Sequence, residues 1–451
     1  MNSLERRAAI SLALIYATRM LGLFMILPVF AIYAEQLVHV TPLLVGLAIG
    51  IYGLTQAAFQ IPFGAWSDKI GRKPVIVTGL LIFLLGSMVA ALADSIYWVI
   101  VGRALQGMGA IASAIMALAS DLTREQHRTK VMAIIGASIG ASFMVALVLG
   151  PVLQSWVGVP GIFWITAILA LAGIGVVTML IPTPVQASQQ AAVVNRATLG
   201  AVLRDSQLLR LDAGVFILHM ALTAIFVVVP LILRDQYHII PAQHWKVYLT
   251  VMLASLVLLV PTIILSEKLN KTKMAFSLAI FICAIGLLVM AWSSQSFQVF
   301  FVSMVLFFWG FNFLEASMPS LVSKLSNPMN KGMSMGVFSS SQFLGAFTGG
   351  VSAGFLLQNF DQNAVFLFAF IMFLLWFLVA FSMQAPVDFT SYTAHLGKIK
   401  SSQIEQVAND LHALPGVADA TVIAEEGIAY LRVNKNTFDE ASVKQYCAQL
   451  N

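Results

Sequence analysis

Twelve apolar runs constrain this chain more than any other feature. In hydrocarbon no water is available to satisfy backbone N–H and C=O groups, so a crossing segment must be a helix or part of a closed barrel. A crossing helix takes about 20 apolar residues. Runs of that length lie at about residues 9–34, 43–66, 74–93, 96–120, 130–156, 161–181, 211–233, 245–266, 274–293, 297–322, 332–358 and 362–384. The third and fourth nearly touch, but Asp94-Ser95 separates them. Hydrophobic residues make up 59% of the sequence and charged residues 10%, whereas soluble domains are about a quarter charged. The expected fold class is therefore all-α and polytopic in a membrane. The first run lacks a small-residue cleavage pattern, so it reads as a retained helix and not a signal peptide.

Basic residues alternate between the connections. With the N-terminus inside, the interior segments hold Arg6, Arg7, Lys69, Arg72, Lys73, Arg124, Arg128, Lys130, Arg196, Arg204, Arg210, Lys268, Lys271, Lys273, Lys324 and Lys331, while the exterior ones hold Arg234 and Lys246. The positive-inside rule then places both termini in the cytoplasm. The net charge of +5 belongs to these loops, so it gives no reason to expect nucleic acid. Cys283 and Cys447 are too isolated for a disulfide framework or a metal site, and nothing calls for a cofactor.

The longest internal connection contains Pro182, Pro184 and the glutamines around Gln186–Gln190. It divides the chain into an N-terminal six-helix half (1–181), a linker (182–210) and a C-terminal six-helix half (211–385). Pro28 and Pro230, Pro42 and Pro241, and Asp68 and Glu267 stand at near-constant offsets. They suggest an internal repeat of the kind secondary transporters use. Residues 388–451 are polar and read as a small soluble α/β domain. A strand near Tyr392–Leu396, a helix over Ser401–Ala413, strands at Val417–Ile423 and Ile428–Val433, and a helix over Thr437–Leu450 suggest a ferredoxin-like unit.

Between the second and third runs lies Gly64-Ala65-Trp66-Ser67-Asp68-Lys69-Ile70-Gly71-Arg72-Lys73-Pro74. A solvated basic loop would explain Lys69, Arg72 and Lys73. It would not explain Gly64, Asp68 and Gly71. The stretch resembles the signature loop between helices 2 and 3 of the major facilitator superfamily, with Gly64, Asp68, Gly71, Arg72 and Lys73 filling the pattern. Arg103-Ala104-Leu105-Gln106-Gly107-Met108-Gly109 resembles the family's helix 4 motif, and Asp121-Leu122-Thr123 with Arg128 resembles the end of helix 4. Gly150-Pro151 resembles the core of the antiporter motif, although Ala146 and Gln154 depart from it while Gly136, Gly140 and Gly158 remain nearby. The tail resembles a heavy-metal-associated domain in outline but lacks its Cys-x-x-Cys loop.

The resemblance implies a conformational latch. Asp68 would sit at the N-terminus of helix 11 in the outward-open state, where the helix dipole favours an anion. Gly332, Gly336, Gly345, Gly349 and Gly350 would allow that helix to approach helix 2, and Arg72 could bridge to Asp121.

Ionisable groups inside spans usually face a cavity or a partner. Arg19 lies about 15 Å into the first run, and His219 holds the corresponding place in the seventh, so both are expected near a central cavity. Arg103 reads equally as a structural anchor or a proton-coupling intermediate. Glu315 reads as the only acid well inside a span and shares a helix face with Asn312. It is the candidate coupling carboxylate, with a structural salt bridge as its alternative. Tyr52, Gln56 and Gln60 form one polar stripe, and Gln342 with Ser339–Ser341 forms another; helix packing is the alternative for both.

No nucleophile–base pair appears in the spans and no Gly-x-x-x-x-Gly-Lys loop is present. The expectation is a secondary transporter, not an enzyme, exporting a small, hydrophobic or drug-like molecule in an exchange driven by the proton gradient. Its expected partners are that substrate, protons and the bilayer. Symport, facilitated uptake and a transporter-derived sensor are the alternatives. The tail is open to a cytoplasmic ligand, self-association or a steadying role.

Overall fold

The computed structural model describes residues 1, 3–182, 196–269, 271–293, 295–326, 331–382, 389–397, 403–423, 427–434 and 437–450. It divides into two compact units, Met1–Met383 and Gln384–Asn451.

The membrane unit is a bundle of twelve helical passes in two halves. The first half consists of α1 (Ser3–Phe24), α2 (Phe30–Ala34), α3 (Pro42–Ile70), α4 (Arg72–Ala91), α5 (Ile96–Met108), α6 (Ala112–Asp121) and α7 (Glu125–Met179). After the short α8 (Arg196–Val202), the second half consists of α9 (Ser206–Asp235), α10 (His244–Lys268), α11 (Thr272–Ala291), α12 (Phe297–Leu325), α13 (Lys331–Asn359) and α14 (Gln362–Phe381). Residues 183–195 of the expected linker, with the tract Gln186–Gln190, lie outside the described residues.

Several expected spans are divided or fused for local reasons. The first run breaks between α1 and α2, where Pro28 cannot donate a helical hydrogen bond. It also starts earlier than its hydropathy suggests, at Ser3, so Arg19 is about 24 Å along α1. The fourth run breaks at Gly109, which separates α5 from α6. The fifth and sixth are continuous except at Gly158, whose φ of 68° turns the chain between two passes. Helix starts carry their expected caps: the side chains of Thr41, Asp205, Ser296 and Asp361 each accept a backbone N–H of the first turn.

The repeat is visible in the backbone. His39 and His238 both have positive φ, each three residues before the proline, Pro42 or Pro241, that opens the next helical segment. The same turn therefore recurs at the same point of each half.

We call the side carrying the sixteen basic loop residues the basic face and the other the far face. Around the far face one hydrophobic core runs through both halves, taking in Phe30, Ile49, Ile96, Phe143 and Phe163 with Phe226, Phe308 and Phe366. Toward the basic face the first half has a separate core of Leu12, Phe63, Ile76, Leu80, Ile115 and Ile135, to which the second half adds Phe343. The halves join on one side of the bundle and part on the other.

The tail unit comprises β1 (Phe389–His395), α15 (Ile404–His412), β2 (Val417–Ile423), β3 (Ile428–Asn434) and α16 (Glu440–Leu450). Its antiparallel sheet has the order β1-β3-β2, with Tyr392 opposite Leu431 and Thr421 opposite Tyr430. This is the order of a ferredoxin-like unit. Alternation puts Ala394, Leu431 and Val433 on one face, against Val407, Leu411, Val443 and Cys447 of the helices. In the first turn of α16 the Lys444 ammonium holds the Glu440 carboxyl below the usual carboxylate range.

Candidate transport site

On the basic face, α3 and α4 are joined by the single residue Gly71. Its φ of 97° and ψ of 154° lie where L side chains are strained. The turn delivers Arg72 back onto Asp68, with which it forms an ion pair, and onto Ser67 Oγ at 2.7 Å. Arg72 Nε also donates to Asp121 Oδ2 at 3.2 Å, from the end of α6. Arg72 and Asp121 are 9% and 8% exposed, whereas Asp68 is 27% exposed. Lys73 Nζ donates to the Ile181 carbonyl at 2.6 Å. Five expected latch residues thus meet: Asp68, Gly71, Arg72, Lys73 and Asp121. Gly64 contributes its carbonyl to Ser67 Oγ at 2.7 Å. The side chain of Arg128 lies outside the described residues, as does that of Glu267 in the second-half copy of this stretch.

The glycines of α13 divide by depth. Gly345 and Gly349 lie against α9 at the carbonyls of Phe216 and Met220, while Gly350 and Gly354 lie against α3 near Gly46 and Pro42. A Cβ at Gly46 would collide with the Gly350 carbonyl oxygen, so that crossing requires glycine. Gly332 and Gly336, nearer the basic face, have nothing within 4 Å of a Cβ built on them. In this conformation α3 and α13 are in backbone contact on the far face and separate toward the basic face.

Two polar contacts across the halves lie on the far face as well. Arg234 makes a bidentate pair with Glu35, at 2.6 and 2.8 Å, and also pairs with its neighbour Asp235. The Leu43 N–H donates to Gln358 Oε1 at 3.3 Å. Sequence reasoning passed over the Glu35–Arg234 pair. Its signal was that Arg234 is one of only two basic residues in the connections of that side, where Glu35 and Asp235 are among the few acids.

Inside the first half, the polar stripe of α3 faces Arg19 of α1. Arg19 NH2 donates to Gln56 Oε1 at 2.5 Å, and Gln56 Nε2 donates to Gln60 Oε1 at 2.7 Å. Arg103 of α5 donates to Gln106 Oε1 at 2.9 Å, and Gln106 donates to Ser87 Oγ at 2.7 Å. Both guanidinium carbons stand over the Tyr52 ring, at 5.8 Å for Arg19 and 5.1 Å for Arg103. Arg19, Tyr52, Gln56, Gln60 and Arg103 are all buried.

Inside the second half, His219, Glu315 and Gln342 come together from three helices. His219 Nδ1 donates to the Val215 carbonyl at 3.2 Å, which leaves Nε2 as the acceptor of the neutral ring. Gln342 Nε2 approaches it at 2.7 Å and reaches Glu315 Oε1 at 3.5 Å. Glu315 Oε2 is 3.6 Å from His219 Nε2. Asn312 does not join them, because it donates to Ser255 Oγ of α10 at 3.1 Å. A buried acid lies nearer a helix end: Asp212, in the second turn of α9, is 6% exposed. Hydropathy placed it at a span end, where an acid attracts no notice.

The sequence profile of the Major Facilitator Superfamily matches residues 12–239 and 211–403. The chain belongs to this superfamily of membrane transporters. It is 42% identical over 457 residues to the "Inner membrane transport protein YajR" of Escherichia coli (strain K12), covering 99% of this chain and 98% of that one. An "Uncharacterized transporter" of Buchnera aphidicola subsp. Schizaphis graminum is 35% identical, with 84% of this chain and 98% of that one covered. The "Multidrug resistance protein MdtH" of Aeromonas salmonicida is 27% identical, with coverages of 74% and 84%. Among solved structures, the fold is shared with the human organic anion transporter MFSD10 at a TM-score of 0.64 and 19% identity, covering 84% of this chain and 100% of that one. It is shared too with a bacterial homolog of the human lysosomal transporter Spinster in an inward-facing, unoccupied conformation, at a TM-score of 0.65 and 13% identity, covering 84% and 98%.

Proposed function

We propose that the protein exports a small molecule across the bacterial inner membrane in exchange for protons, by alternating access of its two six-helix halves. The observation that carries the reading is the His219–Gln342–Glu315 cluster. In the neutral state the His219 Nε2 lone pair accepts from Gln342. A proton arriving at Nε2 turns that nitrogen into a donor facing the amide NH2, so Gln342 must rotate and Glu315 becomes the acceptor. Proton uptake therefore repacks α9, α12 and α13 together. As α13 also forms the far-face crossing with α3, a local protonation has a mechanical route to the gate.

The basic face is the cytoplasmic one in this reading, since basic loops stay on the cytoplasmic side. The conformation described is then open inward, with Asp68 held by Arg72 and free to engage the N-terminus of α13 when that side closes. Arg72 and Asp121 act as the platform that aims Asp68. Export is supported by Gly150-Pro151, where Gly150 lies against the Met25 carbonyl and Pro28, and by the name of the MdtH relative. The inner membrane is supported by the YajR name.

The test uses inside-out membrane vesicles acidified by respiration, with a panel of organic cations, neutral amphiphiles and organic carboxylates. At least one compound should collapse part of the pH gradient in wild type and none should do so in Glu315→Gln. Substrate counterflow without a pH response would replace antiport with facilitated carriage. Absence of counterflow for every compound would favour the sensor.

A further inference from the structure

We infer that the first half holds an anion-binding site, formed by Arg19 and Arg103 around Tyr52, and that the transported molecule carries a carboxylate or phosphoryl group bound there. The inference rests on the transporter reading and adds the substrate class to it.

Arg19 and Arg103 are 2% and 1% exposed, and Tyr52 is 1% exposed. Each guanidinium has one nitrogen satisfied by a glutamine oxygen, Gln56 for Arg19 and Gln106 for Arg103. The remaining nitrogens, Nε and NH1 of Arg19 and Nε and NH2 of Arg103, are buried without a partner, as is the Tyr52 hydroxyl. No carboxylate pairs with either guanidinium among the described residues. Each amide oxygen already accepts from the arginine it serves and each NH2 goes to Gln60 or Ser87, and the second lone pair of neither oxygen meets any of the four remaining nitrogens.

The unmet need is therefore all of one kind. Four guanidinium nitrogens and the Tyr52 hydroxyl are left over, with Arg19 also 5.6 Å from the Phe83 ring, and what they lack is acceptors. A buried arginine without a counter-ion is costly, and arginine cannot escape the cost by losing its proton. Packing alone would be met by an aliphatic residue at either position. Neutral acceptors such as water would satisfy hydrogen bonds but leave each buried charge without a counter-ion. A planar or tetrahedral oxyanion does both, since its oxygens match the fork of guanidinium donors.

The placement also connects with the His219–Gln342–Glu315 cluster. The Tyr52 ring lies 6.2 Å from that of Phe343, the neighbour of Gln342 in α13. An anion on Tyr52 and a proton on His219 thus act on the same contact between halves. An anion leaving the cell against an entering proton moves charge in one sense, so transport responds to the membrane potential as well as to the pH gradient.

The experiment uses the full chain in phosphatidylcholine nanodiscs, which exclude anionic lipid headgroups. Thermal unfolding is followed by tryptophan fluorescence at constant ionic strength, with benzoate, inorganic phosphate and neutral benzamide as probes. Benzoate or phosphate should raise the midpoint saturably and benzamide should not. Arg19→Gln and Arg103→Gln should each weaken that response at least about tenfold, with Arg103→Lys intermediate. Ligand-free Gln variants should melt no lower than wild type, because each removes an unpaired buried charge. Equal responses to benzoate and benzamide, no response to either anion, or Gln variants that melt far below wild type would each overturn the inference. Failure here with substrate-linked proton movement intact in the vesicle assay removes the anion site and leaves the transporter reading standing.

Discussion

Glu35→Gln is the sharpest probe of how the far face is held shut. Arg234 reaches Glu35 from the other half with both terminal nitrogens, but it also pairs with Asp235 of its own helix. Replacing Glu35 therefore removes the contact between halves while Arg234 keeps an anion. The side chains of Arg234, Glu35 and Asp235 are 28%, 50% and 48% exposed. Exposed pairs contribute about 0.2–1 kcal/mol, and bidentate geometry argues for the upper end. About 1 kcal/mol corresponds to about a fivefold change in the ratio of far-face-closed to far-face-open molecules.

Spin labels at Val38→Cys and Ile240→Cys, both solvent-exposed positions on this face, report that ratio by pulsed distance measurement. Cys283 and Cys447 are buried and add little background. Glu35→Gln should enrich the longer distance about fivefold, and Arg234→Gln should add little once Glu35 is gone, because the two act through one contact. In wild type, raising salt from 0.1 to 1 M, which shortens the Debye length from about 10 to about 3 Å, should reproduce part of the shift. A distance distribution unchanged by Glu35→Gln, or strictly additive effects of the two substitutions, would refute the assignment.

Two further outcomes follow from the same geometry. Asp68→Asn should impair transport while leaving expression and folding intact, since the Arg72–Asp121 pair survives it; normal transport by that variant excludes the latch. Gly46→Val should bias the molecule toward an open far face, because its side chain meets the backbone of Gly350, whereas Gly336→Val meets open space here and should instead hinder closure of the basic face. The same spin-label pair reads both, and identical distance distributions for the two variants would contradict the picture of halves that part on one side only.

The parts of this protein governed by one-dimensional rules were legible in its sequence. Apolar length located the passes, alternation located the tail strands, and Gly71 announced a turn that only glycine makes without strain. The expected bridge from Arg72 to Asp121 is present. What escaped depended on which helices become neighbours. Asn312 and Glu315 are three residues apart, yet one turns to Ser255 of α10 and the other to Gln342 of α13, a divergence set by packing and not by periodicity. His219 and Glu315 were each conspicuous as intramembrane ionisable groups, but nothing in the chain told that they meet. Hydropathy also weighed Arg19 and Arg103 separately, although they share one tyrosine.

The two faces are held by interactions of different strength, and the difference assigns them different roles. The Arg72–Asp121 pair is more than nine-tenths buried, so removing Arg72 leaves the Asp121 carboxylate buried without its cation, and salt reaches the pair less than it reaches Asp68. Both residues belong to the first half, so a movement of one half against the other does not by itself part them. Asp68, more exposed and sharing the same guanidinium, is the member able to change partners. On the far face the contact between halves is a solvent-exposed ion pair, a single amide hydrogen bond and glycine crossings, each weak enough to be remade in every cycle. A durable platform on one side and an easily broken seal on the other is the arrangement that the proposed coupling through His219 requires, since a single protonation is worth a few kcal/mol at most.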